Sequence, residues 1–218
     1  MRPGKIVCVG RNYAAHAREL GNEVPERPLL FLKPPSAVIG DGDAIVLPPE
    51  SSRVEHEAEI AVVVGRMLRH ANERAARAAI TGVACANDVT ARDLQKSDGQ
   101  WTRAKGFDTF CPLGGAAPAG GLDLAGLEIV CRVNGAERQR GRSADMAFPI
   151  ATLVAYISSI MTLEPGDVVL TGTPEGVGPL MAGDVVEVEI PGVGVLRNPV
   201  CKLAVLEQPP ADRGPQHR

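Results

Sequence analysis

The sequence contains little that points to a membrane or to a nucleic acid. No apolar run approaches the length that crosses a bilayer, and the first residues lead directly into a strand pattern rather than into an apolar signal segment. No block of lysine or arginine is present and the net charge is −3, so a nucleic acid is not an expected partner. We therefore predict a cytoplasmic protein that binds neither membranes nor nucleic acids.

Cysteine and aromatic residues are also sparse. The five cysteines are odd in number and include no C-x-x-C pair, which favours buried free thiols over disulfides or a zinc site. Aromatic residues make up 3% of the chain, whereas 24 glycines and 18 prolines favour a turn-rich fold built mostly of strands. We predict one domain over residues 1–207, with a frayed polar tail over residues 208–218.

Residues 54–65 give the clearest strand pattern in the chain and also carry a row of acids. Because side chains alternate across a strand, Glu55, Glu57 and Glu59 are predicted to share one face. Neighbouring carboxylates on that face, roughly 6 to 7 Å apart at Cα, repel each other unless a positive charge lies between them. A cation such as Mg²⁺, Mn²⁺ or Ca²⁺ would satisfy them; the alternative from this stretch alone is a solvated strand end.

A histidine and a glutamate lie on a short predicted helix near the start of the chain. Asn12 is predicted to cap a helix over residues 13–20, which ends at Gly21. His16 and Glu19 are three residues apart, so they share a face and can touch. A carboxylate beside an imidazole fixes its tautomer and raises its basicity, which suits a catalytic base; an ordinary surface pair is the alternative.

Three further features have a structural and a functional interpretation. Asp88 follows a strand predicted over residues 81–87, and it either starts a helix or adds a third carboxylate to two of the glutamates. Lys105 lies in a turn-rich segment, where on its own it is predicted to be a surface lysine. Residues 171–179 are glycine-rich and follow a strand, so their backbone N–H groups could bind an anionic or carbonyl oxygen.

Six motifs occur in order along the chain: V-G-R-N-Y-A-x-H-x-x-E, F-L-K-P, H-E-x-E-I, D-V-T-A-R-D-x-Q, W-x-x-A-K-x-F-D-x-x-C-P-L-G and L-T-G-T-P-x-G-V-G-P. Together they resemble the fumarylacetoacetate hydrolase family over residues 6–203, and most closely its short branch of acylpyruvases and oxaloacetate decarboxylases. The resemblance implies a strand-rich α+β fold, namely a mixed β-sandwich roll with short peripheral helices. It also implies a homodimer that uses Mg²⁺ or Mn²⁺.

The resemblance assigns roles to eight residues. It implies that the metal ligands are Glu57, Glu59 and Asp88. It implies a catalytic base dyad of His16 and Glu19, and substrate contacts from Gln95, Lys105 and Thr173, with Lys105 also assisting catalysis. The spacer between Gln95 and Trp101 is shorter than in some decarboxylase-type members, which leaves the choice of substrate open.

These residues lead to a hypothesis about the reaction. We predict metal-dependent hydrolysis of the C–C bond of acylpyruvates such as fumarylpyruvate, giving pyruvate and a carboxylic acid. Oxaloacetate decarboxylation is an alternative, because it produces the same pyruvate enolate without an attacking water. The isomerisation or decarboxylation of 2-hydroxyhepta-2,4-diene-1,7-dioate in aromatic catabolism is another. The non-enzymatic alternative is a β domain whose acids hold a structural ion.

Overall fold

Short strands and shorter helices alternate along residues 3–203, the part of the chain that the computed structural model describes. The strands are β1 Ile6–Gly10, β2 Leu29–Lys33, β3 Val38–Ile39, β4 Ile45–Leu47, β5 Val54–His56, β6 Ala58–Val64, β7 Ile80–Asn87, β8 Thr90–Ala91, β9 Cys111–Pro112, β10 Ala117–Pro118, β11 Glu128–Val133, β12 Ala136–Arg142, β13 Val168–Leu170, β14 Gly178–Pro179, β15 Val185–Ile190 and β16 Gly194–Lys202. The α-helices are α1 Ala14–Glu19, α2 Glu73–Ala79, α3 Arg92–Ser97, α4 Thr102–Gly106 and α5 Ile150–Ile160.

Two mixed sheets form the body of the protein. The larger has six strands in the order β10-β7-β6-β13-β1-β2, and the other has five in the order β12-β11-β15-β16-β4. Most neighbours are antiparallel, but β1 pairs with β13 in parallel and so does β16 with β4. The predicted strand-rich α+β fold with short helices is thereby confirmed.

The six-stranded sheet is buried on both faces at its centre. On β6, Ile60 and Val62 belong to one cluster of buried side chains while Ala61 belongs to another. On β1, Val7 joins the first cluster and Cys8 the second. Because successive side chains point to opposite faces, a strand covered on both sides must be apolar throughout, which explains the continuous apolar run of β6.

The sequence also predicts a helix cap at Asn72 and a type I′ hairpin turn at Asn134-Gly135, and both are confirmed. Asn72 caps α2, and its side chain accepts a hydrogen bond of 2.9 Å from the backbone N–H of Ala75. Asn134 and Gly135 both have positive φ, of 53° and 76°, as the predicted type I′ turn between β11 and β12 requires. In each case the residues that decide the conformation are adjacent in sequence.

The prediction that Asn12 caps the first helix is wrong. Helix α1 begins after Tyr13, and no side chain caps it. The buried Asn12 amide instead donates to the carbonyls of Phe148 (3.1 Å) and Thr171 (2.8 Å), and its oxygen accepts from the N–H of Phe148 at 2.8 Å. Asn12 therefore ties the loop between β1 and α1 to the segments before α5 and after β13.

None of the helices found between residues 3 and 203 has the length and apolar character needed to cross a lipid bilayer. The predicted tail at residues 208–218 lies outside the described residues, and so does the end of the predicted domain at residue 207.

All five cysteines are free, as predicted, but their environments differ. Four are buried, whereas Cys201 is half-buried on β16. Burial raises the pKa of the Cys85 thiol to about 11 and the pKa values of Cys111 and Cys131 to about 12. Since the thiolate is the reactive form, these thiols are protected by both burial and protonation.

We therefore expect Ellman's reagent to modify one thiol rapidly in the folded protein and five after unfolding in guanidinium chloride. The Cys201→Ser substitution should remove the rapid phase, while Cys131→Ser should leave it unchanged. Rapid modification of two or more thiols in the folded protein would contradict the burial described here.

Candidate active site

A cavity of about 250 Å³ opens near the ends of β1, β6 and β7. Its lining includes seven of the eight residues to which the sequence assigns a role: His16, Glu57, Glu59, Asp88, Gln95, Lys105 and Thr173. The eighth, Glu19, does not line the cavity but contacts His16. The structure therefore brings the whole predicted set together, although their chemical roles stay predictions.

Three buried carboxylates lie at the centre of this set. Glu57, Glu59 and Asp88 each offer an oxygen, and these oxygens all lie within 4.8 Å of one another. The pairing of β6 with β7 explains their convergence, because Ala58 lies opposite Asn87. The residues just beyond that pair are Glu57 and Asp88, and the N–H of Asp88 donates to the carbonyl of Glu57 at 2.8 Å.

The predicted continuous strand over residues 54–65 is two strands, because Glu57 interrupts it between β5 and β6. The backbone N–H of Glu57 donates to the side-chain oxygen of Asn87 at 2.9 Å. Glu55 takes no part in the carboxylate group; its oxygens accept from Arg53 at 2.6 Å and from Arg92 at 2.7 Å. The acidic row of the sequence is thus divided between two sets of partners.

Lys105 is buried in the site, so the surface position predicted from its local sequence is wrong. Its Nζ lies 2.8 Å from Glu57 Oε2 and 2.6 Å from Asp88 Oδ2. Although burial alone would lower the pKa of Lys105, the carboxylates of Asp88 and Glu57 outweigh it and raise that pKa. The side chain therefore stays an ammonium group in the folded protein.

Arg92 is a site residue that sequence reasoning missed. Its guanidinium donates to Glu55 Oε2 at 2.7 Å, to Glu57 Oε1 at 2.5 Å and to Gln95 Oε1 at 2.5 Å. The position of Arg92 could have been inferred from its motif. Arg92 and Gln95 are three residues apart in D-V-T-A-R-D-x-Q, so they share a face of α3. A buried arginine with three partners orients both Glu57 and Gln95.

Lys33 was missed as well, although it stands in the F-L-K-P motif. Its Nζ is fully buried and lies 2.8 Å from Asp88 Oδ1. It donates to the carbonyls of Val89 at 3.1 Å and of Lys105 at 2.6 Å. Lys33 thereby fixes the end of β7 against α4. The sequence pattern that could have indicated Lys33 is an apolar strand that ends in lysine before two prolines. That pattern does not show which residues the lysine contacts.

The charges of the site fit a hard divalent cation. Burial alone would raise the pKa of Glu57, but Lys105 and Arg92 outweigh it and the pKa is lowered. The pKa of Glu59 is instead raised, first by burial and then by the charges of Asp88 and Glu57. Within residues 3–203, Glu59 forms no ion pair, whereas Glu57 and Asp88 each contact a lysine. A shortage of positive charge around converging oxygen donors is what Mg²⁺ or Mn²⁺ relieves.

His16 and Glu19 form the contact that their spacing predicts. His16 Nδ1 lies 3.2 Å from Glu19 Oε2, and the His16 side chain is 6% exposed. The other oxygen of Glu19 accepts a 3.0 Å hydrogen bond from the backbone N–H of Gly176. Within residues 3–203, Nε2 of His16 forms no hydrogen bond, since the contact of the ring with Glu19 is made by Nδ1.

The glycine-rich loop over residues 171–179 also reaches the carboxylates. The N–H of Gly172 donates to Glu59 Oε2 at 2.6 Å. The hydroxyl of Thr173 donates to the carbonyl of Ala58 at 2.8 Å and accepts from Gln139 Nε2 at 2.8 Å. Because its one proton is already used, the Thr173 hydroxyl can only accept a hydrogen bond from a bound molecule.

Sequence comparison agrees with this geometry. The sequence pattern of the fumarylacetoacetate (FAA) hydrolase C-terminal family matches residues 5–201. This chain belongs to that family of enzymes, which confirms the resemblance drawn from the six motifs.

Relatives with named activities extend the comparison. A mitochondrial oxaloacetate tautomerase of Arabidopsis thaliana is 49% identical over 194 residues, covering 87% of each chain. A mitochondrial oxaloacetate decarboxylase of Dictyostelium discoideum is 46% identical over 195 residues, covering 87% of this chain and 89% of the relative. Each similarity therefore covers more than four fifths of both chains.

Solved structures share the fold. The 5-carboxymethyl-2-hydroxymuconate delta-isomerase of Mycobacterium smegmatis has a TM-score of 0.86 and 48% identity, covering 94% of this chain and 81% of that one. The fumarylpyruvate hydrolase of Pseudomonas aeruginosa, in complex with Mn²⁺ and pyruvate, has a TM-score of 0.86 and 33% identity, covering 91% of this chain and 89% of that one.

The carboxylate group can be tested by its affinity for Mn²⁺. We expect Glu59→Gln to weaken Mn²⁺ binding by roughly 100-fold or more, since losing even an outer partner of a metal ligand costs about 10- to 100-fold. The glutamine can still accept the hydrogen bond from Gly172, so the fold should persist. Isothermal titration calorimetry measures the affinity, and circular dichroism checks the fold.

Glu55→Gln is the matched control, because Glu55 is a buried neighbour outside the carboxylate group. Its Mn²⁺ affinity should stay within about tenfold of the wild-type value. Equal losses in the two variants, or no loss in Glu59→Gln, would contradict the assignment of Glu59 as a ligand.

Proposed function

We propose that this protein is a divalent-metal-dependent enzyme that converts 2-oxo acids through their enolate forms, with oxaloacetate as its main substrate. The observation that carries this proposal is the placement of a histidine–glutamate pair beside three buried carboxylates in one small cavity. A volume of about 250 Å³ lies near the lower limit for ligand pockets and suits a substrate of few carbon atoms.

We assign Glu57, Glu59 and Asp88 as the ligands of Mg²⁺ or Mn²⁺. When bound, the ion would supply a Lewis acid for the carboxylate and 2-oxo oxygens of the substrate. The Mn²⁺ and pyruvate in the Pseudomonas aeruginosa hydrolase support this assignment without deciding between the two metals.

Lys105 and Gln95 have hydrogen-bond donors to spare. Two protons of the Lys105 ammonium group are directed to Glu57 and Asp88, which leaves a third for a substrate oxygen. Because Gln95 Oε1 accepts from Arg92, the Gln95 amide group Nε2 is left to donate. Donors fixed by other contacts stabilise developing negative charge without having to reorganise. We assign both residues to the substrate oxygen that gains charge in the enolate.

His16 is proposed to move the proton. Its Nε2 takes a proton from C3 of the oxo acid, and the electron pair of that C–H bond forms the C2–C3 double bond while negative charge moves to the 2-oxygen. Returning the proton to that oxygen gives the enol. The Thr173 hydroxyl, which can only accept, is suited to receive a hydrogen bond from the enol O–H.

Hydrolysis of acylpyruvates, the reaction predicted from the sequence, is the second candidate. It is favoured by the same His16–Glu19 pair, which can take a proton from water as well as from carbon. The similarity to a fumarylpyruvate hydrolase supports it, but at 33% identity. The relatives named for oxaloacetate are 46% to 49% identical, and the small cavity suits oxaloacetate better than a longer substrate, so oxaloacetate comes first. The dienedioate isomerisation is supported by the similarity to a 2-hydroxyhepta-2,4-diene-1,7-dioate isomerase of Mycobacterium marinum, which has a TM-score of 0.86 and 45% identity, covering 94% of this chain and 77% of that one.

A direct assay compares these reactions. With Mn²⁺ or Mg²⁺ we expect turnover of oxaloacetate, followed by the absorbance of its enol and by release of pyruvate, to exceed turnover of acetylpyruvate and fumarylpyruvate. Treatment with a chelator should abolish the turnover of every substrate. If every substrate, including the dienedioate, reacts only at the rate given by metal alone, the proposed function must be abandoned.

Replacing the base should separate reactions that need proton removal from the one that does not. We expect His16→Asn to slow oxaloacetate tautomerisation and acylpyruvate hydrolysis by about 10²- to 10⁴-fold, the usual contribution of a general base. Loss of CO₂ requires no base, so decarboxylation should fall much less. Steady-state kinetics of each reaction provide the measurement.

His70→Asn is the matched control, because His70 is exposed and asparagine tolerates its positive φ of 48°. It should leave all rates unchanged. Equal losses of tautomerisation and decarboxylation in His16→Asn would refute the division of roles. The homodimer implied by the family and the cytoplasmic location stay predictions.

A further inference from the structure

Two basic side chains in the cavity have no acidic partner. Five basic residues line it, and three of them are paired with carboxylates: His16 with Glu19, and Arg92 and Lys105 with members of the carboxylate group. Within the described residues, the side chains of Arg11 and Lys96 form no ion pair or hydrogen bond. The cavity therefore offers two positively charged side chains that its own acids do not engage.

The position of Lys96 follows from helix α3, which also carries Arg92 and Gln95. On α3, Arg92 and Lys96 are four residues apart and Gln95 is three from Arg92, so all three share one helical face. That face lines the cavity. On this helical face Arg92 is buried and Lys96 is exposed, so Lys96 lies at the solvent side of the cavity.

Arg11 is held in an unusual backbone conformation. Its φ is +58°, a left-handed value that costs a non-glycine residue free energy and that clusters at functional sites as well as in tight turns. The three consecutive residues Val9, Gly10 and Arg11 all line the cavity. The next residue, Asn12, is buried and fixed by its bonds to Phe148 and Thr171, so the turn at Arg11 is anchored from one side.

An apolar wall belongs to the same cavity. Phe31 and Trp101 meet edge to face with ring centroids 5.3 Å apart, and Leu20 also lines the space. A Cβ atom at Gly10 would lie 3.1 Å from Cζ3 of Trp101, so a larger residue there would press on the ring. A carboxylate placed against such a wall loses hydration and needs a cation beside it.

We propose that Arg11 and Lys96 form a second anion subsite, which binds the far carboxylate of a 2-oxo dicarboxylic acid whose 2-oxo acid end lies at the carboxylate group. This inference rests on the proposed function and adds to it the residues that select dicarboxylates over monocarboxylates. Arg11 contributes more than Lys96, because it is half-buried while the charge of an exposed lysine is screened by solvent.

Binding of two stable ligands tests this without depending on turnover. 2-Oxoglutarate and 2-oxopentanoate have the same carbon chain, and only the first has a second carboxylate. For the Mn²⁺-loaded wild-type protein we expect calorimetry to give a Kd for 2-oxoglutarate at least about tenfold lower than for 2-oxopentanoate, since hydrogen bonds to charged groups contribute roughly 10- to 100-fold. The double variant Arg11→Met/Lys96→Met should lose that difference by weakening only 2-oxoglutarate.

Arg18→Met/Lys202→Met is the matched control, because both residues are exposed cations outside this cavity. It should bind both ligands like the wild type. Three results would overturn the proposal: equal wild-type affinity for the two ligands, no detectable binding of either, or a double variant that weakens both equally or neither. A preserved preference for 2-oxoglutarate without turnover of any oxo acid would refute the proposed function while leaving the subsite intact.

Discussion

Mutual repulsion of three buried carboxylates is the constraint around which this protein is arranged. Unit charges about 4 Å apart interact by about 4 kcal/mol at an effective dielectric constant of about 20, so Glu57, Glu59 and Asp88 cannot lie within 4.8 Å of one another without compensation. Lys33 and Lys105 supply part of it. Both lysines come from segments outside the paired strands β6 and β7, at whose ends the acids lie. The ion pairs therefore tie the end of β2 and helix α4 to the ends of β6 and β7, and they join stability to the chemistry proposed for the site.

The glycine-rich loop couples the carboxylates to the proposed base. Gly172 donates to Glu59, and Gly176 donates to Glu19, which in turn contacts His16. Both glycines have φ near +100°, and a Cβ at Gly172 would lie 2.7 Å from Cβ of Asn12. Only glycine meets these requirements without strain. One loop thus fixes the distance between the proposed base and the proposed metal ligand Glu59.

Features decided by adjacent residues could be predicted from the sequence, and features decided by distant ones could not. The Asn134–Gly135 turn and the Asn72 cap depend on neighbours, and both are confirmed. The ordered motifs placed the predicted site residues together through the family resemblance. Asn12 was misassigned because its partners are 136 and 159 residues away. Lys33 was missed for the same reason, since its partners are 55 to 72 residues further along the chain.

The reactions considered for this cavity all require an enolate, so the charged centre alone does not select among them. Selection must come from the parts of the cavity that contact the rest of the substrate. Trp101 is central to that region, because it packs on Phe31 and closely faces Gly10. Its position depends on the short spacer that separates it from Gln95 on α3. A longer spacer would move the aromatic wall relative to the carboxylates, and with it the space left for a substituent. Beside the proposed Arg11–Lys96 subsite, we therefore expect the length of this segment to be one variable that sets which 2-oxo acid the proposed metal centre accepts.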